Sequence, residues 1–281
     1  MSDDFEPLTW ADLTARPRPE PQAAIAYGDD PWQRVDLWLP AGAGPFPVVL
    51  MVHGGCWTTS IADRTLMNWI AEDLRQDGFA VWNVDYRGVD RPGGGYPGTF
   101  RDAAAAADAL RGYAPKYGLD LRRIVATGHS AGGHLALWLA ARRRLSSDSP
   151  LWCATPLAIA HVVACGALSD LEAVAASPDN GCGIDVIRDL VGAPDSDGRD
   201  VYADTSIPSL LPIGVRHDLV NGREDRIVPY RLATDYAAKA GDEAILHTVP
   251  DTGHVELVTP GTAAWTVTKR LIAAAFTATG R

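Results

Sequence analysis

The sequence predicts an α/β fold, a mostly parallel sheet with helices on both faces. Three observations carry this. Short apolar runs of strand length recur along the chain, unbroken as in strands buried on both sides. Segments of helical period separate them, the alternation that βαβ units produce. The 281 residues, 47% hydrophobic and 21% charged, match one globular α/β domain and exclude a disordered or collagen-like chain.

Taken in order, residues 1–22 are polar and proline-rich (Arg16-Pro17-Arg18-Pro19-Glu20-Pro21) and read as a surface arm, with residues 23–281 as a single domain. Residues 23–27 and 33–39 flank the turn sequence Gly28-Asp29-Asp30-Pro31 and read as an antiparallel hairpin. Buried strands are expected at 47–52, 80–85, 123–127, 161–165, 212–220 and 244–249. Helices are expected at 62–76, 101–117, 131–145, 230–240 and 261–278. Residues 169–211 break the alternation with scattered glycine and proline, around a short helix at 184–191. A long insertion of that kind is usually a lid or a binding loop.

Charge narrows the partners. Lys+Arg total 25 against Asp+Glu 35, a net charge of −10, which repels phosphate backbones and anionic lipid heads. Neither nucleic acid nor a membrane surface is expected as a partner, and a small molecule is. A homodimer is left open. No apolar run reaches the ~18 residues of a membrane span. The acidic N-terminus lacks the basic and apolar regions of a signal peptide, so with Met1 as the native start the expected location is cytoplasmic. Cys56, Cys153, Cys165 and Cys182 show no CxxC spacing and read as reduced thiols. No metal site or cofactor is expected.

The strongest chemical signal is Gly128-His129-Ser130-Ala131-Gly132, a G-x-S-x-G between a strand and a helix. There the chain must turn sharply, so side chains on either glycine would collide, and Ser130 sits at a helix N-terminus that favours negative charge. The second signal is His53-Gly54-Gly55-Cys56-Trp57, directly after a strand. Glycines there let backbone N–H groups face a developing oxyanion. The expected oxyanion hole is therefore the loop Gly54, Gly55 and Cys56 together with Ala131. His53 is expected to border the pocket by shaping that loop rather than to act as base, and Trp57 either to wall the pocket or simply to lie in the core. Gly93-Gly94-Gly95-Tyr96-Pro97 reads as a mobile loop bordering the pocket, with Tyr96 beside it.

A nucleophilic serine needs a base, and the base needs an orienting carboxylate. In the chain order serine, acid, histidine, Asp225 follows a late strand and Gly222, and His254 follows the last strand in Pro250-Asp251-Thr252-Gly253-His254. Asp170, Asp218, Glu224 and Asp251 are rivals to Asp225. His129 and His134 flank the serine and are expected to pack there, while His161, His217 and His247 lie in or beside strands.

On these residues the sequence resembles the α/β-hydrolase superfamily from about residue 25 onward. The pairing of the His53–Trp57 and Gly128–His134 motifs looks like its HGGxW group, which includes kynurenine formamidase and carboxylesterases such as feruloyl and acetyl xylan esterases. The resemblance implies an eight-stranded sheet with a small inserted lid, and Ser130, His254 and Asp225 as nucleophile, base and acid. The implied activity is hydrolysis of a small carboxylic ester or activated amide, without a cofactor. Alternatives are an arylformamidase acting on N-formylkynurenine, an acyltransferase with the same triad, and a non-catalytic ligand-binding protein on this fold.

Overall fold

The computed structural model describes residues 5–194, 196 and 198–278. A short helix, α1 (Trp10–Thr14), precedes the hairpin β1 (Ala23–Ala26) and β2 (Arg34–Trp38). Then follow β3 (Phe46–Val52), α2 (Asn68–Gln76), β4 (Ala80–Val84), α3 (Gly98–Tyr117), β5 (Leu119–His129), α4 (Ala131–Ala141) and β6 (His161–Cys165). The chain continues through α5 (Leu171–Ala175), α6 (Ile184–Val191), β7 (His217–Gly222), α7 (Tyr230–Ala240), β8 (Ala244–Val249) and α8 (Ala263–Ala278). One eight-stranded sheet results, in the order β1-β2-β4-β3-β5-β6-β7-β8. β1 pairs antiparallel with β2, and β2 antiparallel with β4. Every other pairing is parallel.

The strand period of two divides the core into two layers. In β3, Val48, Leu50 and Val52 join the cluster that packs α3, α4, α6 and α7, while Val49 and Met51 join the one that packs α2 and α8. α4 is buried at all eleven positions, because it lies over the middle of the sheet. A parallel sheet puts the carboxyl ends of its strands on one edge, where ligand sites of open α/β sheets form. The loops after β3, β5, β7 and β8 all leave from that edge.

The insertion at 169–211 packs closely against α4. Ile187 and Leu190 are fully buried. The ring nitrogens of His134 and Trp138 reach the carbonyls of Thr205 and Asp204, each at 2.8 Å. A disulfide between Cys56 and Cys182 fastens this insertion to the loop after β3, so the expectation of four reduced thiols is overturned. Cys153 and Cys165 are free. No helix among the described residues is long and apolar enough to cross a membrane.

The segment expected as a surface arm is anchored at many points. Thr9 caps α1 with a reciprocal Thr9–Asp12 capping box. Leu13 is completely buried in the layer that holds α2 and α8. Farther along, Trp69 Nε1 donates to the Pro17 carbonyl at 3.1 Å and Asn68 Nδ2 to that of Pro19 at 2.9 Å.

Candidate active site

Ser130 stands between β5 and α4 with φ 55° and ψ −122°, a left-handed conformation that a non-glycine residue adopts only when its surroundings enforce it. The surroundings are backbone. A Cβ on Gly128 would lie 2.1 Å from the Gly132 carbonyl oxygen, and one on Gly132 would lie 2.2 Å from that of Val52. The Ser130 N–H donates to the Cys165 carbonyl at 2.8 Å, fastening the turn to β6. Ala131 opens α4 directly behind it, where the first N–H groups of a helix have no intrahelical acceptor.

His254 Nδ1 lies 2.7 Å from Asp225 Oδ2, with both side chains nearly enclosed. Asp225 is held in turn, since Oδ1 accepts the N–H groups of Ile227 at 2.8 Å and Val228 at 2.9 Å. The rival carboxylates are occupied elsewhere. Asp170 caps α5 and takes Lys239 Nζ at 2.5 Å. Asp218 sits between His161 Nε2 at 2.7 Å and His247 Nε2 at 2.6 Å. Glu224 accepts the Thr252 N–H at 3.2 Å, and Asp251 occupies a turn with φ 47°. His129 is fully buried beside His254, with ring centroids 4.2 Å apart. Burial first, and the neighbouring His254 second, hold the His129 pKa well below the ordinary imidazole value.

A cavity of about 370 Å³ opens on this group and is bordered by Ser130, His254, Gly55 and Cys56 among others. Gly55 and Cys56 have φ of 102° and 51°, which turns the loop after β3 toward Ser130. Gly54 passes so close that an added Cβ would lie 2.8 Å from His129 Nδ1 and 3.1 Å from Ser130 Cβ. The loop is secured behind by Thr58 N–H to the Gly55 carbonyl at 2.9 Å and Val89 N–H to the Trp57 carbonyl at 2.8 Å.

The three expected pocket residues stand elsewhere, and none borders this cavity. His53 is buried under the loop, with Nδ1 2.7 Å from the Gly54 carbonyl oxygen and Nε2 2.9 Å from Asp85 Oδ1. Trp57 is fully buried, edge-on to His134 at 5.5 Å, because the loop turns its ring inward to the core. Tyr96 donates to Asp204 Oδ2 at 2.9 Å beneath the Arg199 guanidinium, and so links the glycine-rich loop to the insertion. The wall comes instead from Trp10 and Thr14 of α1, Ile61, Leu66 and Ile227. The capping-box pattern Thr9-x-x-Asp12 could have disclosed α1, but no local signal places that helix over the serine.

Comparison with known proteins bears on this geometry. The BD-FAE family model, of α/β-hydrolase type, matches residues 35–239, a span that holds Ser130 and Asp225 and stops short of His254. A probable isoprenylcysteine alpha-carbonyl methylesterase of Arabidopsis thaliana is 34% identical over 119 residues, 42% of this chain and 24% of that protein. Esterase LipC of Mycobacterium tuberculosis is 32% identical over 117 residues, 40% of this chain and 28% of that protein. The matched stretches thus span about a quarter of those relatives' length. Among solved structures, esterase B from Lactobacillus rhamnosis superposes with a TM-score of 0.76 at 20% identity, over 96% of this chain and 94% of that one. At that identity the likeness establishes a shared fold.

Proposed function

The chain belongs to the BD-FAE family of α/β hydrolases, and on that premise we propose that it is a carboxylic-ester hydrolase working through Ser130, His254 and Asp225. One observation carries the reading: His254 is held at 2.7 Å by an enclosed carboxylate while it borders the same cavity as a serine in strained backbone. Strain kept at a cavity is a signature of function. The names of the relatives, methylesterase and esterase, support an ester over a formamide.

The chemistry follows from the positions. His254 Nε2 takes the Ser130 proton as Oγ attacks the acyl carbon. The carbonyl oxygen becomes an oxyanion, which the N–H groups of Gly55, Cys56 and Ala131 stabilise with dipoles already oriented. His254 then gives its proton to the departing alcohol, leaving an acyl-serine. Water, deprotonated by His254, attacks that ester, the bond to Ser130 Oγ breaks as His254 returns the proton to it, and the carboxylic acid departs. Asp225 keeps Nδ1 protonated and Nε2 free to accept, and stabilises the imidazolium.

The test pairs p-nitrophenyl acetate turnover with fluorophosphonate labelling, mapped by peptide mass. Wild type should turn over the ester and carry the label on Ser130, and Ser130→Ala should lose ~10⁴-fold or more in kcat with its melting temperature retained. Label on another residue, or an active Ser130→Ala protein, rules the mechanism out.

A further inference from the structure

We infer that Trp10, in the helix that precedes the sheet, is a specificity-determining residue that contacts the departing alcohol and selects aromatic esters. The inference rests on the hydrolase reading above and adds to it the class of leaving group. Trp10 borders the cavity at Ser130 and is 37% exposed, so part of its surface is open to a ligand. Its ring stands edge-on to two histidine rings, at 6.3 Å and 87° from His254 and at 5.9 Å and 76° from His129.

The position beside His254 decides which part of a substrate Trp10 meets. His254 must protonate the departing oxygen, so that oxygen lies within ~3 Å of Nε2 during the reaction. Whatever the oxygen carries then extends along the wall next to His254, and that wall is Trp10. The carbonyl oxygen of the same carbon faces the N–H groups of Gly55 and Cys56, so the acyl group leaves that carbon in a direction other than that of the departing alcohol. Among the described residues the cavity lining contains no Lys, Arg, Asp or Glu, and besides Trp10 it includes Leu66 and Ile61. An uncharged, flat group fits this wall, and an aromatic ring gains both apolar burial and an edge or offset contact with the indole.

The helix is fixed tightly enough to act as a wall. The buried carboxylate of Glu256 bridges the two segments that must stay in register. Its Oε1 accepts the Leu8 N–H at 2.5 Å, and its Oε2 accepts the Gly253 N–H at 3.1 Å, next to His254. Leu13, one turn beyond Trp10, is sunk in the core, and Arg16 Nη1 donates to the Pro260 carbonyl at 3.0 Å. The indole thus keeps its place relative to the histidine that serves the leaving group.

The experiment compares kcat/KM for phenyl acetate and ethyl acetate, which share an acyl group and differ in the alcohol. The readout is the ratio of the two within each protein, so a loss of folded enzyme, which lowers both alike, cancels. Trp10→Ala should lower the phenyl-to-ethyl ratio about tenfold or more, mainly through KM for phenyl acetate, and Trp10→Phe should keep it within about threefold of wild type. An unchanged ratio in Trp10→Ala overturns the inference while the hydrolase reading stands. A Trp10→Phe ratio as low as that of Trp10→Ala overturns the aromatic selection. Wild type that turns over neither ester overturns the hydrolase reading, and this inference with it.

Discussion

Removing the disulfide offers a test whose size can be worked from the chain. Cys56 and Cys182 are 126 residues apart in sequence. Closing a loop of that length in the unfolded chain costs conformational entropy equivalent to about 5 kcal/mol in the chain-entropy model, and measured bridges usually return 2–4 kcal/mol. For a domain of this size one kcal/mol moves the melting temperature by roughly 2 °C. Cys182→Ala should therefore melt about 4–10 °C below wild type, and wild type treated with a dithiol reductant should fall by the same amount. Cys153→Ser should melt with wild type, since that thiol is free. Turnover should also drop, because the bridge holds the segment whose N–H groups are proposed to meet the oxyanion, and the loss should fall on kcat more than on KM. Thiol titration of the unfolded, unreduced chain checks the premise, with two thiols expected from Cys153 and Cys165. Four titratable thiols, or a melting temperature indifferent to reductant, would refute the reasoning.

Two further outcomes follow from the polar contacts. Asp225→Asn should cost ~10⁴-fold in kcat, because the amide can no longer hold His254 in the required tautomer, whereas Asp218→Asn should leave turnover near wild type; comparable losses from both would contradict the assignment of the acid. His134 is fully buried, and burial holds its pKa down at about 4. The unfolded chain binds that proton near pH 6.5 and the folded one does not until about 4, so stability is complete above 6.5 and is lost as pH falls between the two, by about 3 kcal/mol in all. Denaturant unfolding from pH 7 to 4 should show a shallower fall for His134→Gln than for wild type, and equal slopes would remove His134 as the source.

How much of this was legible in the sequence depends on how far each determinant reaches along the chain. The elbow at Gly128–Gly132 is local: two glycines, a serine and the flanking strand and helix are imposed by sterics within one turn, and the structure has the close backbone approaches that the spacing requires. The hairpin and the helix Ile184–Val191 were legible for the same reason. Asp225 and His254 lie at strand ends whose common edge is dictated by a parallel sheet, so their meeting at 2.7 Å follows from topology. The pocket was not legible, because an aromatic next to a motif need not face the same way as the motif. Trp57 follows two residues at positive φ and has φ of 52° itself, and that run of turns carries its ring into the core.

What the sequence concealed has a common physical origin. The Cys56–Cys182 bridge, the Glu256 contact to Leu8 and the seat of Leu13 each join segments far apart in the chain, and no periodicity or spacing encodes such pairings. All three act on the rim of one cavity. On the proposed reading the sheet edge supplies a nucleophile and a base whose geometry tolerates little variation, whereas the rim is made of an N-terminal helix and an insertion outside the strands. On that reading catalysis and selection are borne by different parts of the chain. A substitution at Ser130 should abolish turnover of every ester alike, and a substitution at Trp10 should reorder the esters while the chemistry persists. The bridge belongs to both groups, since the N–H of Cys56 is proposed to meet the oxyanion and Cys182 holds the insertion. Its reduction should therefore lower turnover of all esters and also blur the preference among them.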